Sequence, residues 1–182
     1  MKITKRIALI FLCLFPLSQP VNASPHVGMN ISLPVITKEP TSLHGFQVMF
    51  NYDPDRFKWR KFNIYFDAGF SQFWVNNTPY YTTISIYSAA PVIRYTFRKR
   101  GPILPYLELS IGLSYLNHTH LDGRNLGIHF AFQDRMGVGI LWGQREQIST
   151  GIHFVHYSNA HFAEHNAGIT VPMMLDIGYR FW

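Results

Sequence analysis

The sequence predicts an all-β fold, an eight-stranded antiparallel transmembrane β-barrel. Three observations support this prediction: an N-terminus typical of an exported protein, a series of segments in which apolar and polar residues alternate, and turn residues between those segments. Aromatic residues make up 16% of the chain and charged residues only 14%, as expected for a barrel with many lipid-facing and interfacial aromatic side chains.

Residues 1–23 are predicted to be a secretory signal peptide that is removed. Three basic residues open the chain, and the apolar run from Ile7 to Phe15 is too short for a spanning helix. A cut is expected after Val21-Asn22-Ala23. The only cysteine, Cys13, lies in this segment, so no disulfide or thiol chemistry is expected in the mature chain. The formal net charge of +6 falls to about +3 with the three lost charges, which is too mild an excess to indicate a nucleic-acid partner.

Residues 24–182 are predicted to form a single barrel domain. No later apolar run reaches the length of a spanning helix, and eight strand-like segments can be counted. The eight segments are Val27 to Ile36, Leu43 to Tyr52, Trp59 to Val75, Tyr81 to Phe97, Leu104 to Leu116, Leu126 to Trp142, Gln147 to Ala160 and Ile169 to Phe181. The last segment alternates strictly and ends in Phe181-Trp182, which resembles the C-terminal signature of outer-membrane proteins.

The polarity of the segments distinguishes a membrane barrel from a soluble one. A secreted barrel of the lipocalin type would point its apolar residues inward. Here several polar residues lie opposite the apolar stripes, which favours a polar interior and an apolar exterior. These residues are Asp67, Gln72, Glu108, Asp134, Asp176 and Arg180. Asp134 and Arg135 are expected to form an ion pair inside the barrel.

Strand counting places the loops and the chemically interesting residues. Both termini of such barrels usually face the periplasm and the periplasmic turns are short, so four connections are expected outside. They lie near Lys38-Glu39-Pro40, near Asn77, from His118 to Arg124 and from Asn159 to Gly168.

The seventh segment then carries His156 and Ser158 at its outer end. Residues two apart share a strand face, so this pair continues the lipid-facing stripe that contains Ile152 and Phe154, whereas His153 and Tyr157 point inward. A serine becomes a nucleophile when an adjacent base takes its proton, and we expect the hydroxyl and the imidazole to approach within hydrogen-bond reach. At this depth the natural substrate is an ester of an outer-leaflet lipid. Alone, however, an H-x-S pair on a strand is more often structural.

A longer motif strengthens this interpretation. The run His156-Tyr157-Ser158-Asn159-Ala160, followed by Asn166 and Gly168, resembles the signature of the lipid A 3-O-deacylase (PagL) family. The similarity extends through Pro105 to Gly112, Asn125 to Gly127 and Phe132 to Gly139. Weaker similarity reaches back to about Asp67 to Phe70, so the resemblance covers most of the mature chain. The resemblance implies an eight-stranded outer-membrane barrel of a Gram-negative bacterium, without a cofactor, that hydrolyses the acyl ester at position 3 of lipid A. Its partner would be the lipopolysaccharide of the outer leaflet, and a second copy of the chain in a homodimer is a further candidate.

The resemblance also implies roles for individual residues. Ser158 would be the nucleophile and His156 the general base. Asn166 would donate to the oxyanion, helped by backbone amides near Asn159 and Ala160.

One position departs from the family pattern, because Thr170 stands where the family has its acid. Three interpretations remain open: Thr170 orients His156 through its hydroxyl, Glu164 in the adjoining loop supplies the acid, or activity is weak or absent. In the last case the protein would be a small outer-membrane barrel with a structural or adhesive role. An acyltransferase that uses the same pair with an acceptor other than water is a further alternative.

Four histidines in the predicted outer loops raise the question of a metal site. They are His118, His120, His161 and His165. Histidines at such spacing can bind a transition metal, but no carboxylate pattern around them is legible. We therefore predict no metal site and expect these side chains to be solvated or to contact lipid phosphates.

Overall fold

The computed structural model describes residues 25–76 and 81–181 and contains eight long strands. They are β1 His26–Ile36, β2 Leu43–Asp53, β3 Phe62–Val75, β4 Thr83–Thr96, β5 Leu104–Leu116, β6 Phe130–Trp142, β7 Ile148–Ser158 and β8 Ile169–Phe181. Two-residue strands form small ladders in the connections, at Lys58–Trp59, His120–Leu121 and Arg124–Asn125. The predicted signal peptide with Cys13, the loop at 77–80 and Trp182 lie outside the described residues.

The eight strands close into an antiparallel barrel, as predicted. Each strand pairs with its neighbours in the chain, and β1 also pairs with β8, with Met29 opposite Tyr179 and Leu33 opposite Leu175. Closure removes the free edges that would otherwise expose unpaired backbone groups. No helix in the described ranges is long and apolar enough to cross a membrane.

The third and sixth predicted segments begin three and four residues later than expected. The third starts at Phe62 because the chain reverses in a tight hairpin that pairs Trp59 with Phe62, with Arg60 at φ 56°. The sixth starts at Phe130 because Gly127, at φ 83°, turns the chain away from the strand direction. Turn chemistry interrupts the apolar alternation in both places.

The interior is polar over much of its length, although two residues expected there lie outside. Asp67, Glu108 and Asp176 are buried inside the barrel. Gln72 and Asp134 are only partly buried and lie on the outward faces of β3 and β6. The prediction that these two side chains point into the barrel is therefore wrong.

The predicted pair of Asp134 with Arg135 is therefore wrong. Adjacent strand residues point to opposite faces, so Arg135 turns inward and pairs with Asp67, while Asp134 turns outward. Arg180 lies on the inward face of β8 and is partly buried.

A charged network fills the lower half of the barrel. The guanidinium of Arg94 donates to Glu108 at 2.9 and 3.0 Å, and the Tyr65 hydroxyl donates to the same carboxylate at 3.0 Å. His153 lies on the other carboxylate oxygen, with its Nε2 2.7 Å away. Buried charges remain stable only when they are paired and hydrogen-bonded, and here Arg94 and Glu108 pair with each other.

The outer end of the barrel interior is apolar instead, which the sequence reasoning did not anticipate. A cluster of buried side chains closes it, with Tyr157, Phe73 and Val155 at its centre. The Tyr157 hydroxyl at its lower edge contacts Gln47, Ser71 and Gln133 at 2.8 to 3.0 Å. This apolar plug separates the polar interior from the outer loops and from the outward-facing residues at the outer end of β7.

A β-bulge in β8 decides which side chains share that outside face. Between His153 and Val155 β7 advances two residues, whereas β8 advances three from Met174 to Val171. The extra residue inverts the alternation of β8, so Ile169, Val171 and Met174 are all fully buried. As a result Thr170 lies directly opposite His156 on the outward side.

Replacing Glu108 by Gln tests the charged network. The substitution leaves the buried Arg94 without its counter-charge and should lower the free energy of unfolding by about 3–5 kcal/mol. Urea unfolding in detergent micelles measures this change. Glu146→Gln is the control, because Glu146 forms an exposed pair with Lys99 at 2.7 Å and its loss should cost less than about 1 kcal/mol. Equal losses for the two variants would contradict the network.

Candidate active site

His156 and Ser158 lie at the outer end of β7, on its lipid-facing side. Both side chains are partly buried, whereas Val155 and Tyr157 between and beside them are fully buried inside the barrel. Burial along this part of the strand therefore follows the expected period of two.

The imidazole of His156 is held on one side by Thr170. Its Nδ1 lies 2.9 Å from the Thr170 hydroxyl oxygen, and the same hydroxyl donates to the Glu39 carboxylate at 2.8 Å. On the other side Gly168 packs against the ring, since a Cβ on Gly168 would lie 3.2 Å from its Cε1. The Nε2 atom is left as the nitrogen that can serve Ser158.

Ser158 and His156 both lie in the described part of the chain, and no hydrogen bond joins the Ser158 hydroxyl to the imidazole there. This differs from the expected direct contact, although catalytic hydrogen bonds are often long before substrate binds. Ser158 lines a small crevice together with Asn159, Asn166 and Gly168. The rest of its lining belongs to the apolar cluster, namely Leu116, Leu126, Ala131 and Tyr157, so the crevice lies where Ser158 and the loop meet the plug.

The two asparagines have different functions in the structure. The backbone N–H of Asn159 donates to Asn166 Oδ1 at 2.8 Å, which orients the Asn166 amide so that its Nδ2 points away from this bond. Asn159 is 1% exposed, and its side chain donates to the carbonyls of Leu126 and His165 at 2.9 and 2.7 Å. The Nδ2 of the expected oxyanion donor Asn166 has no hydrogen bond in the described part of the chain, while the Asn159 amides are already engaged in holding the loop.

The chain turns sharply directly after Ser158. Ala160 and His161 both have positive φ, at 51° and 61°, and the N–H of Phe162 donates to the Asn159 carbonyl at 3.0 Å. These angles correspond to a type I′ turn, which usually requires glycine or asparagine. Neither Ala160 nor His161 is such a residue, and strained backbone of this kind is concentrated at functional sites.

The connection between β5 and β6 clamps the loop 159–168. Arg124 donates from Nε to the Gly168 carbonyl at 3.1 Å and also to the Ala167 carbonyl, and the N–H of Ala167 donates to Asn125 at 3.1 Å. Gly127 approaches so closely that a Cβ there would overlap the His165 carbonyl oxygen. The site is therefore built from the two longest connections at the outer end.

The two candidate acids lie in different surroundings. Glu164, which sequence reasoning offered as the alternative acid, is exposed and has no hydrogen bond or ion pair within the described part of the chain. Glu39, which that reasoning placed only in an outer connection, contacts Thr170 instead. A survey of carboxylates in the predicted outer connections would have included Glu39, since few acidic residues occur there.

An aromatic cluster borders Ser158 on the outward face. Phe132 pairs with Ser158 across β6 and β7, and the Phe162 ring lies 5.9 Å from Phe132 and 6.2 Å from Phe130. Phe162 is 70% exposed. This cluster offers apolar contact to a lipid chain beside the serine.

The loop histidines do not converge. Among the described residues no three His, Cys, Asp or Glu side chains are grouped to hold a metal ion. His120 stacks on Tyr81 with ring centroids 4.9 Å apart, and its Nδ1 lies 3.1 Å from the Thr119 hydroxyl.

Comparison with known proteins decides the family. A family profile described as lipid A 3-O-deacylase (PagL) matches residues 44–180, which is most of the chain. The chain belongs to the PagL family. The lipid A deacylase PagL of Pseudomonas aeruginosa is 30% identical over 128 residues, which cover 68% of this chain and 71% of that protein. The lipid A deacylase PagL of Bordetella bronchiseptica is 27% identical over 123 residues, covering 68% of this chain and 65% of that protein.

A solved structure agrees with this assignment. The crystal structure of the outer membrane enzyme PagL superposes with a TM-score of 0.69 at 25% identity, covering 84% of this chain and 98% of that one. The chain is therefore an outer-membrane β-barrel of the PagL family from a Gram-negative bacterium.

Two glycines test how the loop is held. Gly127→Ala should displace the loop 159–168 and increase its cleavage in limited proteolysis, because a Cβ there meets the His165 carbonyl and Asn159 Nδ2. Gly123→Ala is the matched control, since Gly123 also has positive φ, 72°, but a Cβ there meets nothing within 4 Å. Both variants carry the backbone cost of about 1–2 kcal/mol. Equal protease sensitivity would show that close packing at Gly127 does not order the loop.

Proposed function

We propose that this protein is an outer-membrane esterase that hydrolyses the 3-O-linked acyl chain of lipid A, with Ser158 as nucleophile and His156 as general base. The observation that carries the proposal is the position of the pair. Both side chains lie on the lipid-facing side of a barrel of the PagL family, with His156 Nδ1 held by Thr170 and Nε2 left available. Lipid A of the outer leaflet presents its ester bonds at this depth.

In the first half of the reaction the Ser158 oxygen attacks the ester carbonyl carbon while its proton passes to His156 Nε2. The carbonyl oxygen becomes an oxyanion, and Asn166, which lines the crevice beside Ser158, donates to it from Nδ2. The C–O bond to lipid A then breaks, and the departing 3-oxygen takes the proton from His156. Lipid A leaves with a free hydroxyl and the acyl group remains on Ser158.

In the second half a water molecule replaces lipid A. His156 takes a proton from the water, whose oxygen attacks the acyl carbon, and the collapse of the second intermediate returns the proton to Ser158. A free fatty acid is released. The balance requires only substrate and water, so no cofactor takes part in the proposed reaction.

A second candidate function is a small outer-membrane barrel with a structural or adhesive role. The absence of a Ser158–His156 hydrogen bond among the described residues and the threonine at the family acid position favour it. An acyltransferase is distinguished from both by its product, because transfer adds an acyl mass whereas hydrolysis removes one.

Replacing the nucleophile and the base tests the esterase proposal. Ser158→Ala and His156→Ala should each reduce the release of the 3-O acyl chain by at least about a thousandfold, as removal of a nucleophile or its base does in serine hydrolases. Mass spectrometry of lipid A after incubation with the purified barrel measures the loss of one hydroxyacyl group.

The matched control is His44→Ala, because His44 is an exposed histidine at the start of β2, which does not adjoin β7. It should retain wild-type activity. Unchanged lipid A with the wild-type protein would reject the esterase proposal, and a gain in mass would indicate transfer.

The aromatic cluster should affect substrate binding more than chemistry. Phe162→Ala removes exposed apolar area next to Ser158 and should raise KM several-fold while kcat changes less than about twofold. Kinetics on lipid A in mixed micelles separates the two constants. A fall in kcat at unchanged KM would contradict a role for Phe162 in acyl-chain binding.

A further inference from the structure

We propose that Glu39, in the connection between β1 and β2, has taken over the role of the missing acid and acts on His156 through the hydroxyl of Thr170. The inference rests on the proposed function, because it assigns an orienting group to the proposed general base. Glu39 would be a positioning residue that does not touch the substrate.

The first support is a continuous chain of hydrogen bonds. His156 Nδ1 lies 2.9 Å from Thr170 Oγ1, which lies 2.8 Å from Glu39 Oε2. Threonine has no carboxylate of its own. Its hydroxyl instead bridges the imidazole to a carboxylate from another connection.

The second support is the direction of these bonds. An ionised carboxylate only accepts, and a hydroxyl has one hydrogen, so Thr170 donates to Glu39 and can only accept from His156. Nδ1 must then carry a hydrogen, and the neutral imidazole has its lone pair on Nε2. This is the tautomer that a base for Ser158 needs.

The third support is the way in which Glu39 is fixed. It forms an isolated antiparallel bridge with Thr170, in which the Thr170 N–H donates to the Glu39 carbonyl at 2.9 Å and the Glu39 N–H donates back at 3.2 Å. The backbone thus sets the separation of the two side chains.

Charge supports the same assignment. The hydrogen bond from Thr170 lowers the pKa of Glu39 most. Burial opposes this effect, and the positive charges of Arg124 and Lys38 lower the pKa further, as does His156 when it is protonated. Arg124 Nη2 lies 4.0 Å from Glu39 Oε2. Glu39 therefore remains a carboxylate under the conditions in which His156 accepts a proton.

The carboxylate acts when the imidazolium forms. Its Oε2 lies less than about 6 Å from Nδ1, close enough for its negative charge to favour the protonated ring. The proton from Ser158 enters at Nε2 and leaves from Nε2 to the departing oxygen. Glu39 and Thr170 keep their own protonation states throughout, so the relay needs no proton transfer.

Asp134 is the other carboxylate that faces His156, from β6 on the opposite side. Within the described residues no hydrogen bond joins Asp134 to the imidazole or to Thr170. Glu39, in contrast, accepts from Thr170 and is connected to the imidazole through that hydroxyl. Lys38 and Arg124 are the cations that accompany Glu39.

Kinetics of Glu39→Gln tests the proposal. The amide keeps the shape but removes the charge, so kcat for lipid A should fall at least about tenfold with little change in KM. The acid limb of the pH–rate profile should move to lower pH, because the base loses its proton more easily without the nearby negative charge. Glu146→Gln, in the connection between β6 and β7 at the other end of the barrel, is the matched control and should match the wild type in both respects. Equal kinetics for the two variants would overturn the assignment.

A double-mutant cycle tests the route through Thr170. Thr170→Val removes the hydroxyl, so adding Glu39→Gln to it should lower kcat by less than about twofold more. Thr170→Glu in the Glu39→Gln background brings a carboxylate directly to the imidazole and should recover most of the lost rate. Additive losses and no recovery would exclude the relay.

Histidine ¹⁵N NMR separates failure of the relay from failure of the esterase proposal, because it does not require turnover. His156 should carry its hydrogen on Nδ1 in the wild type and lose this preference in Thr170→Val. A wild-type barrel that leaves lipid A unchanged but has this tautomer would refute the esterase and support the hydrogen-bond chain. Protonation at Nε2 in the wild type would overturn the relay whatever the activity.

Discussion

The arrangement of the site depends on a single extra residue in β8. In a regular antiparallel strand Thr170 would have the same phase as Asp176 and would point into the barrel, away from His156. The bulge between Val171 and Met174 reverses that phase, so Thr170 faces His156 and the inward positions next to it are filled by Ile169 and Val171. Pro172 lies within the bulge, where the missing N–H of proline is tolerated. The same bulge therefore adds apolar side chains to the plug and places the Thr170 hydroxyl beside the imidazole.

The division of the interior follows from the same geometry. Below the bulge several inward residues are polar or charged and hydrogen-bond to one another, as Arg94 and His153 do with Glu108. Above it the inward residues are apolar and pack around Tyr157 and Phe73. Because the plug excludes water from the end of the barrel, the strand ends and loops above it have a rigid base. The strained turn at Ala160 and His161 starts directly from that base, which keeps Ser158 in a defined position.

The sequence predicted the elements better than the details that assemble the site. Strand periodicity located all eight strands, and β5 and β8 agree with their predicted ends. It failed where the phase was ambiguous: Gln72 and Asp134 lie outside the barrel because polar residues near the strand ends occur on both faces. A bulge leaves little trace in alternation, so the outward direction of Thr170 did not follow from the pattern of the last segment.

The contact of Glu39 with Thr170 was beyond sequence reasoning for a different reason. The two residues are 131 positions apart and meet only because the barrel closes between β1 and β8. Closure was predicted, but the exact register of two connections across the seam depends on packing at the loop ends. The resemblance to the family directs attention to Thr170, at the position of the family's acid. The proposed replacement, Glu39, lies in the connection between β1 and β2.

The central claim is that Ser158 is a nucleophile activated by an imidazole held from the lipid-facing side. Labelling of the detergent-solubilised barrel with a long-chain alkyl phosphonate ester, followed by peptide mass spectrometry, tests this most directly, because such reagents modify activated serines. The account predicts one adduct, on Ser158, that forms much more slowly in His156→Ala. A folded barrel that forms no adduct, or forms it equally in His156→Ala, would contradict the account.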